Sequence, residues 1–362
     1  MSTGQFKSVV VGCGDIAKTH LRYLKEMGQV HVAGVCDIDT GRLISTAERF
    51  GIDEKDNDFE ALLKRVRPDV VHVLTPPTVA VPLALTAFRH ACHVLVEKPM
   101  ASTPDDAKRL VAAADEAGVS LAVDHSRLLH PSIMKARSLL EQGALGDLVA
   151  VDIVQGFTRA RPVEGKPVPW SYTYPWGTYD NLMPHCLYYA RAFAGDCEGL
   201  AVRAASRGRI PDSAFDELLV DMHGSVAQAR ILLTLATAPE RNTVTLRGTR
   251  ATVTVDTNLV TVIVTRDSNL PSMVAKSVHV VDPGWQLFRA AVGNVVDYAR
   301  GRIRSYPDIR NTLHAFYAAL RGEGPLPATG EDGLAVVEMM TAIRSQAEEL
   351  LAEPARQEAG VT

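Results

Sequence analysis

The stretch "VLVEKPMAST", residues 94–103, sets an acid, a base and a proline at the end of an apolar run. Val94, Leu95 and Val96 read as a buried strand. Lysine is among the residues least often fully buried. Lys98 is therefore either an ordinary strand end reaching water or a cation held for chemistry. As a cation it can polarise a carbonyl or steady an alkoxide that grows in a transition state. With its pKa lowered by desolvation it could instead donate a proton. Glu97 can orient it, and Pro99 stiffens the backbone just beyond.

A second stretch, "VVVGCGDIAKTHL", gives G-x-G-x-x-A through Gly12, Gly14 and Ala17, between a strand and a helix. Gly12 permits the tight turn, Gly14 lets the backbone approach a pyrophosphate, and Ala17 allows close helix–strand packing. Asp15 and Ile16 open the helix, whose free N–H groups and positive dipole end suit phosphates. A plain tight turn is the alternative. About twenty residues on, "GVCDID" ends in Asp37, which can accept from both ribose hydroxyls and repel a 2′-phosphate. That favours NAD over NADP, although Arg42 could soften the preference. "VLTPP" ends another strand with Thr75 and Pro76. Ligands of doubly wound sheets lie beyond the carboxyl ends of strands. The glycine turn, Thr75–Pro77 and Glu97–Pro99 are thus expected on one edge.

These residues need a scaffold, and the first third of the chain supplies its pattern. Strand-like runs "KSVVVGCG", "HVAGVCD", "DVVHVLTP", "HVLVEKP" and "SLAVDHS" alternate with segments of helical spacing. Thr103-Pro104-Asp105 is a helix start with a capping hydroxyl and proline in the first turn. Such alternation implies α/β architecture with a doubly wound parallel sheet. Later runs, including "DLVAVDIVQGFTR", "ELLVDMHGS", "RATVTVDTNLVTVIVTR" and "AKSVHVVD", read as strands of a large, mostly antiparallel open sheet. "YDNLMPHCLYYARAFAG" and three closing segments read as helices. The expected division is a dinucleotide-binding domain over 1–126, an α+β substrate and oligomerisation domain over 127–353, and a mobile tail over 354–362.

Bulk properties narrow the partners. A net charge of −4 without a basic run argues against nucleic acid. Apolar stretches are too short for a membrane helix. The start "MSTGQFKSVVVGCGD" lacks a charged leader before an apolar run, and five scattered cysteines fit reduced thiols. A cytoplasmic protein is expected, with no metal and a small-molecule substrate. An open sheet face of alternating Val and Leu needs cover, so a homodimer or homotetramer is expected.

Together, "GCGDIAKTHL", "CDID", "LTPP", "VEKPMAST", "VDHSRLLHPS", "RGTRATVTVD" and "EDGLAVVEMMTAIRSQ" resemble the glucose–fructose oxidoreductase / inositol dehydrogenase (Gfo/Idh/MocA) family. The resemblance implies a Rossmann domain, a C-terminal α/β domain and hydride transfer between NAD(P) and a ring hydroxyl or carbonyl of a sugar, nucleotide sugar or cyclitol. In the family the E-K-P lysine contacts cofactor and substrate, which points to Lys98, with Glu97 near the nicotinamide ribose. His125 stands where the family often has an Asn near the nicotinamide. The family's second signature, G-G-x-x-x-D-x-G-x-H-x-x-D, maps onto "WGTYDNLMPHCLYY". Asn181 stands for the first Asp, His185 for the His and Tyr188 for the last Asp. Asp180 is adjacent to Asn181 but projects about 100° away on a helix.

Histidine titrates near neutrality, so His185 can serve as the acid/base and Lys98 as its electrostatic partner, with Asn181 completing the set. Residues 157–179 hold Arg159, Arg161, Trp170, Tyr172, Trp176 and Tyr179, a mix that suits an anionic or nucleotide sugar. An oligomer arm is the alternative there. Two other functions stay open: an NAD-dependent glycosidase working by transient oxidation, and a catalytically idle NAD-binding regulator.

Overall fold

The computed structural model of the 362-residue chain describes residues 5–157, 176–208, 215–267, 270–300 and 306–359. They form two compact units. One comprises 1–129 with 308–338, the other 130–307 with 339–362.

The first unit is a six-stranded parallel sheet in the order β3-β2-β1-β4-β5-β6. Its strands are β1 (Phe6–Val11), β2 (Val30–Cys36), β3 (Glu54–Asp56), β4 (Val70–Val73), β5 (His93–Val96) and β6 (Leu121–Val123). Helices α1 (Asp15–Glu26), α2 (Thr40–Phe50), α3 (Phe59–Val66), α4 (Pro77–Arg89) and α5 (Pro104–Ala117) connect them. The inner strands are largely apolar because both faces of the sheet are covered there. Val9, Val11, Val71, Val94 and Val96 share one core with α3, α4 and α5. Val10, Val70 and Leu95 share the other with α1 and α2. The helix starts follow their sequence signals: the Asp39, Asp58 and Thr103 side chains accept from backbone N–H groups of the first turns.

A later segment completes this unit. Helix α9 (Pro307–Leu320) places Leu313, Phe316 and Tyr317 in the second core. The Tyr317 hydroxyl lies 2.6 Å from Ser8 Oγ and 2.8 Å from His72 Nε2, all buried. Val123 N–H donates to Ala328 O, which covers the open edge of β6. Helix α10 (Gly330–Ala359) begins here, with Val337 in the first core. The expected single cut at 126/127 is therefore not how the chain divides: residues 308–338 return to the dinucleotide-binding unit to fill its core. Helix α10 also runs past residue 354, where the tail was expected to begin, and residues 360–362 lie outside the described set.

The second unit opens with α6 (Pro131–Glu141) and has a seven-stranded sheet in the order β13-β12-β11-β7-β10-β9-β8. These are β7 (Leu148–Gly156), β8 (Cys197–Ala205), β9 (Glu217–Gly224), β10 (Gln228–Thr234), β11 (Arg241–Gly248), β12 (Ala251–Asp256) and β13 (Thr261–Arg266). Only the β7–β10 pair is parallel. Burial alternates along β9 to β12, with Val220, Ile231, Val244 and Val253 inside. Helix α7 (Thr178–Ala194) packs on β7, β9 and β10. The outward residues are largely polar: Arg203 and Arg230 both pair with Asp221, and Arg247 with Asp152.

Two sequence expectations change here. "RATVTVDTNLVTVIVTR" is two strands, β12 and β13, joined by a turn. "AKSVHVVD", expected as a strand, lies inside α8 (Ser272–Ala299), a 28-residue helix along β13. No helix among the described residues is long and apolar enough to cross a membrane.

Replacing Tyr317 by Phe removes one hydroxyl and strands two buried groups, Ser8 Oγ and His72 Nε2. A loss of about 1–3 kcal/mol in unfolding free energy is expected from urea titration; a neutral result means the triad does not tie α9 to the sheet.

Candidate functional site

The carboxyl edge of the parallel sheet gathers the predicted residues of the first unit. Gly12 has φ +94°, and a Cβ there would sit 2.5 Å from Leu74 O and 2.9 Å from Thr75 Cγ2. Only glycine fits, so the turn presses directly on the end of β4. Gly14 differs: φ is −71°, and a Cβ would meet nothing within 4 Å. Neither fold nor backbone strain requires glycine at 14, so the space in front of it is kept open.

Asp37 ties the second strand to this turn. One of its carboxylate oxygens accepts from Cys13 N–H at 2.6 Å and the other from Asp39 N–H at 2.8 Å. Each carboxylate oxygen can still accept again. Helix α1 starts without a side-chain cap on its first N–H groups. Asp15 points outward to Lys18 at 2.7 Å, and Ile16 is half-buried. Thr75 Oγ1 is buried without a hydrogen-bond partner, and Pro76 is exposed. An open glycine, uncapped helix amides, an orphaned hydroxyl and an acid with spare lone pairs fit a dinucleotide's phosphates and ribose.

At the end of β5, Glu97 N–H donates to Val73 O, and Lys98 N–H donates to Glu97 Oε2 at 3.1 Å. The Lys98–Pro99 bond is cis. Two residues that sequence reading did not select join this pair. His20 Nε2 lies 3.1 Å from Asp124 Oδ2 and 3.7 Å from Glu97 Oε1. His20 and Asp124 are almost wholly buried. No hydrogen bond of good geometry reaches either ring nitrogen of His20 or either oxygen of Asp124. His125, expected beside the nicotinamide, is buried, and its N–H donates to Val123 O.

The electrostatics follow from burial. Desolvation pushes Glu97 up to about 7, helped by the Asp124 charge. Desolvation pushes Lys98 down to about 8, opposed by Glu97. Asp308 of α9 is also raised, by burial first and by Asp124 second. Donor atoms of His20, Glu97 and Asp124 all lie within 4.8 Å of one another. A cation would fit that spacing, but the neighbouring Lys98 ammonium would repel it.

The second unit carries the remaining predicted residues on α7. His185 is buried, with Nδ1 2.7 Å from Tyr188 Oη. Tyr188 thus orients the imidazole from the position where the resemblance expects an acid. Asn181 is half-buried one turn earlier. Asp180 is engaged elsewhere: it accepts from Trp176 N–H and from two nitrogens of Arg344, the nearer at 2.7 Å. It anchors α10 to the start of α7 and cannot stand in for the missing acid. Trp176 donates through its indole to Glu348 at 3.0 Å and packs edge-on against Phe215. The Tyr179 ring packs on Phe215 and is 3% exposed. Its ring face, expected to stack on substrate, is here packed on Phe215. Arg159, Arg161, Trp170 and Tyr172 lie outside the described residues.

Residues 6–125 match the family described as "Oxidoreductase family, NAD-binding Rossmann fold". That segment is the part of the chain that matches the Gfo/Idh/MocA family model. The chain is 29% identical over 182 residues to D-glucoside 3-dehydrogenase of Escherichia coli, covering 50% of this chain and 48% of that protein. It is 30% identical over 142 residues to D-apiose dehydrogenase of Paraburkholderia graminis, covering 39% of this chain and 38% of that protein. The matches thus span half or less of these relatives' length. Among solved structures, the WlbA dehydrogenase of Bordetella pertussis, in complex with NADH and UDP-GlcNAcA, superposes with a TM-score of 0.76 at 21% identity. That match covers 96% of this chain and 97% of the other, and it shows a common fold.

Within the Gfo/Idh/MocA segment, His20 and Asp124 did leave a trace in sequence. His20 sits at the spacing of Ala17, Leu21 and Leu24, on the buried face of α1. Asp124 follows β6 as Asp37 follows β2, an acid at a strand's carboxyl end. Gly14→Ala should keep or slightly raise the melting temperature, since its φ suits alanine. It should weaken NADH binding about tenfold or more, read by nicotinamide fluorescence titration. Unchanged affinity would show that the open space is not the pyrophosphate seat.

Proposed function

We propose that the protein is an NAD-dependent dehydrogenase or ketoreductase acting on a ring hydroxyl or carbonyl of a sugar-type substrate. The observation that carries this is the ammonium of Lys98, placed with Glu97 at the carboxyl end of β5 in an NAD-binding oxidoreductase fold. The named activities of the glucoside and apiose dehydrogenases support a sugar hydroxyl as the reacting group. Five free thiols, four of them buried, support a reducing cytoplasm.

Gly12, Gly14, Asp37 and Thr75 hold the dinucleotide in this reading. The cofactor, when bound, exchanges a hydride with the substrate carbon. Lys98 steadies negative charge that grows on the substrate oxygen. His185 moves the proton, its ring fixed by Tyr188. Asn181 offers neutral hydrogen bonds where a charged partner would raise the histidine's basicity. His20 and Asp124 set the charge of Glu97, and so the field at Lys98.

The test is a panel of glycosides, pentoses, cyclitols and UDP-sugars with NAD, followed by absorbance of NADH. Reduction of NAD by at least one sugar is expected. Turnover without net NADH would point to a glycosidase, and binding of NAD without any turnover to an idle regulator; either result overturns the proposal.

With a substrate in hand, burial of Lys98 fixes the sign of the pH response. Its ammonium is present at low pH and is lost as pH rises through about 8, well below an ordinary lysine. The value of kcat/KM should therefore fall above about pH 8. In Lys98→Arg, whose guanidinium stays charged, that alkaline limb should vanish even though the rate drops. A limb unchanged in Lys98→Arg assigns the titration to another group. For the histidine, Tyr188→Phe should cut kcat by about tenfold, with KM little changed, and His185→Asn by about 100-fold or more. Equal, small effects on both would remove His185 from the proton transfer.

A further inference from the structure

The open face of the second unit's sheet carries ion pairs, so the exposed apolar surface lies elsewhere. It lies on α8. Among the described residues of this helix none is buried, although much of it is Val, Leu, Trp and Phe. One side of α8 is accounted for. Gln286 accepts from Val264 N–H and donates to Val264 O, and Asn294 donates to Leu259 O. These contacts fix that side on β13 and the turn before it.

The opposite side has a regular pattern. Starting from Val274, the positions Val278, Val281, Trp285, Phe288, Val292 and Val295 follow at steps of four and three alternately, and Ala299 closes the run. The six between the ends are 39% to 69% exposed. The Trp285 and Phe288 rings stack at 5.6 Å, in the middle of the stripe. A strict 4-3 alternation is a period of 3.5, the seam of a helix packed on another helix. Met273, Val280, Leu287 and Tyr298 are exposed beside this seam and widen the apolar face, so what sets α8 apart from a helix on a lipid surface is its polar face, which there would be rich in Lys and Arg. Here Lys276 and Arg289 are balanced by Asp282 and Asp297.

The seam also reads alike in both directions. From either end it runs through small β-branched or alanine side chains to an aromatic at the centre. Two antiparallel copies centred between Gln286 and Leu287 would face Val278 with Val295, Val281 with Val292, and Trp285 with Phe288. Asp282 and Arg289 each follow a seam residue directly, at the same flanking position of the repeat. In the antiparallel pair each Asp282 would come opposite the other copy's Arg289. One Asp282 oxygen already accepts from Gln286 at 2.8 Å, and the other can take the arginine. In a parallel pair that flanking position would instead face the partner's Ser277, Gly284 or Ala291, so neither Asp282 nor Arg289 would meet an opposite charge. The residues just before Trp285 and Val292 are Gly284 and Ala291, small enough for close approach.

We infer that α8 pairs with α8 of a second copy of this chain, antiparallel, about a two-fold axis near Gln286. The seam spans about 38 Å at 1.5 Å per residue, with Pro283 inside the helix two residues before Trp285, so each copy is expected to bend at the axis of the pair.

The experiment uses the full-length chain. Light scattering should give an even oligomer. Trp285→Asp with Phe288→Asp should halve the particle mass without lowering the melting temperature, because both side chains are exposed in the single chain. Direction is read by oxidation to disulfides. The double variant Val281→Cys/Val292→Cys should cross-link between chains on a non-reducing gel. Each single variant should not, and wild type controls for the native thiols. Asp282→Arg should weaken the oligomer, and adding Arg289→Asp should restore it. A monomeric wild type overturns the inference. So does an oligomer untouched by the Asp variants, self-cross-linking by each single cysteine, or a monomer that sediments with anionic vesicles.

Discussion

A buried imidazole and carboxylate beside a half-buried acid–base pair cannot gather at the end of one strand unless their charges compensate one another. Each alone would cost several kcal/mol in lost hydration. His20, Glu97, Asp124 and Lys98 meet this constraint together, and the first unit is arranged to bring them together. Helix α1 supplies the imidazole from its buried face, β5 supplies the acid–base pair, and β6 supplies the last carboxylate. Burial raises Glu97 and lowers Lys98, so the two approach each other in proton affinity. A lysine poised this way changes charge near neutral pH, which an exposed strand-end lysine would not do. The 15% of the Glu97 side chain that reaches solvent keeps the desolvation incomplete, so its proton can exchange.

The second unit solves a different problem, how to keep a histidine fixed without an adjacent acid. Tyr188 does this with a neutral hydroxyl one turn along α7. A neutral partner orients a ring as well as a carboxylate does but stabilises the imidazolium less. The only acid nearby in sequence, Asp180, is drawn away by Arg344 and by the Trp176 amide. With Tyr188 as its partner and Asn181 one turn before, the histidine keeps a fixed orientation while its imidazolium is stabilised less than by a carboxylate.

How much of this was legible in the sequence depends on whether the signal was local. The tight turn at Gly12 and the cap at Thr103 are set by residues within a few positions, and the structure forms both. Strand β3 was missed because three polar residues, two of them exposed, carry no periodicity. Helix α9 was recognised as a helix but given to the wrong unit, since nothing local says that Phe316 and Tyr317 fill a core begun three hundred residues earlier. The His20–Asp124 contact is equally non-local. A buried histidine reads as core until the acid across the sheet edge is known.

The reading of "AKSVHVVD" as a strand failed for an instructive reason. Valine favours strands, and Val278 and Val280 alternate over a few residues. Over twenty-six residues the pattern is instead 4-3, and the longer window decides. An isolated helix with so many exposed valines gains little from propensity, because β-branched side chains lose rotamer freedom there. Its contact with β13 rests on Gln286, Asn294 and a few small residues, and buries none of the large ones. The stability that the sequence withholds from α8 must come from packing on its open side. The 4-3 spacing of that side is what a helical partner would require, and the balanced charges of Lys276, Arg289, Asp282 and Asp297 are not those of a helix held on an anionic lipid surface.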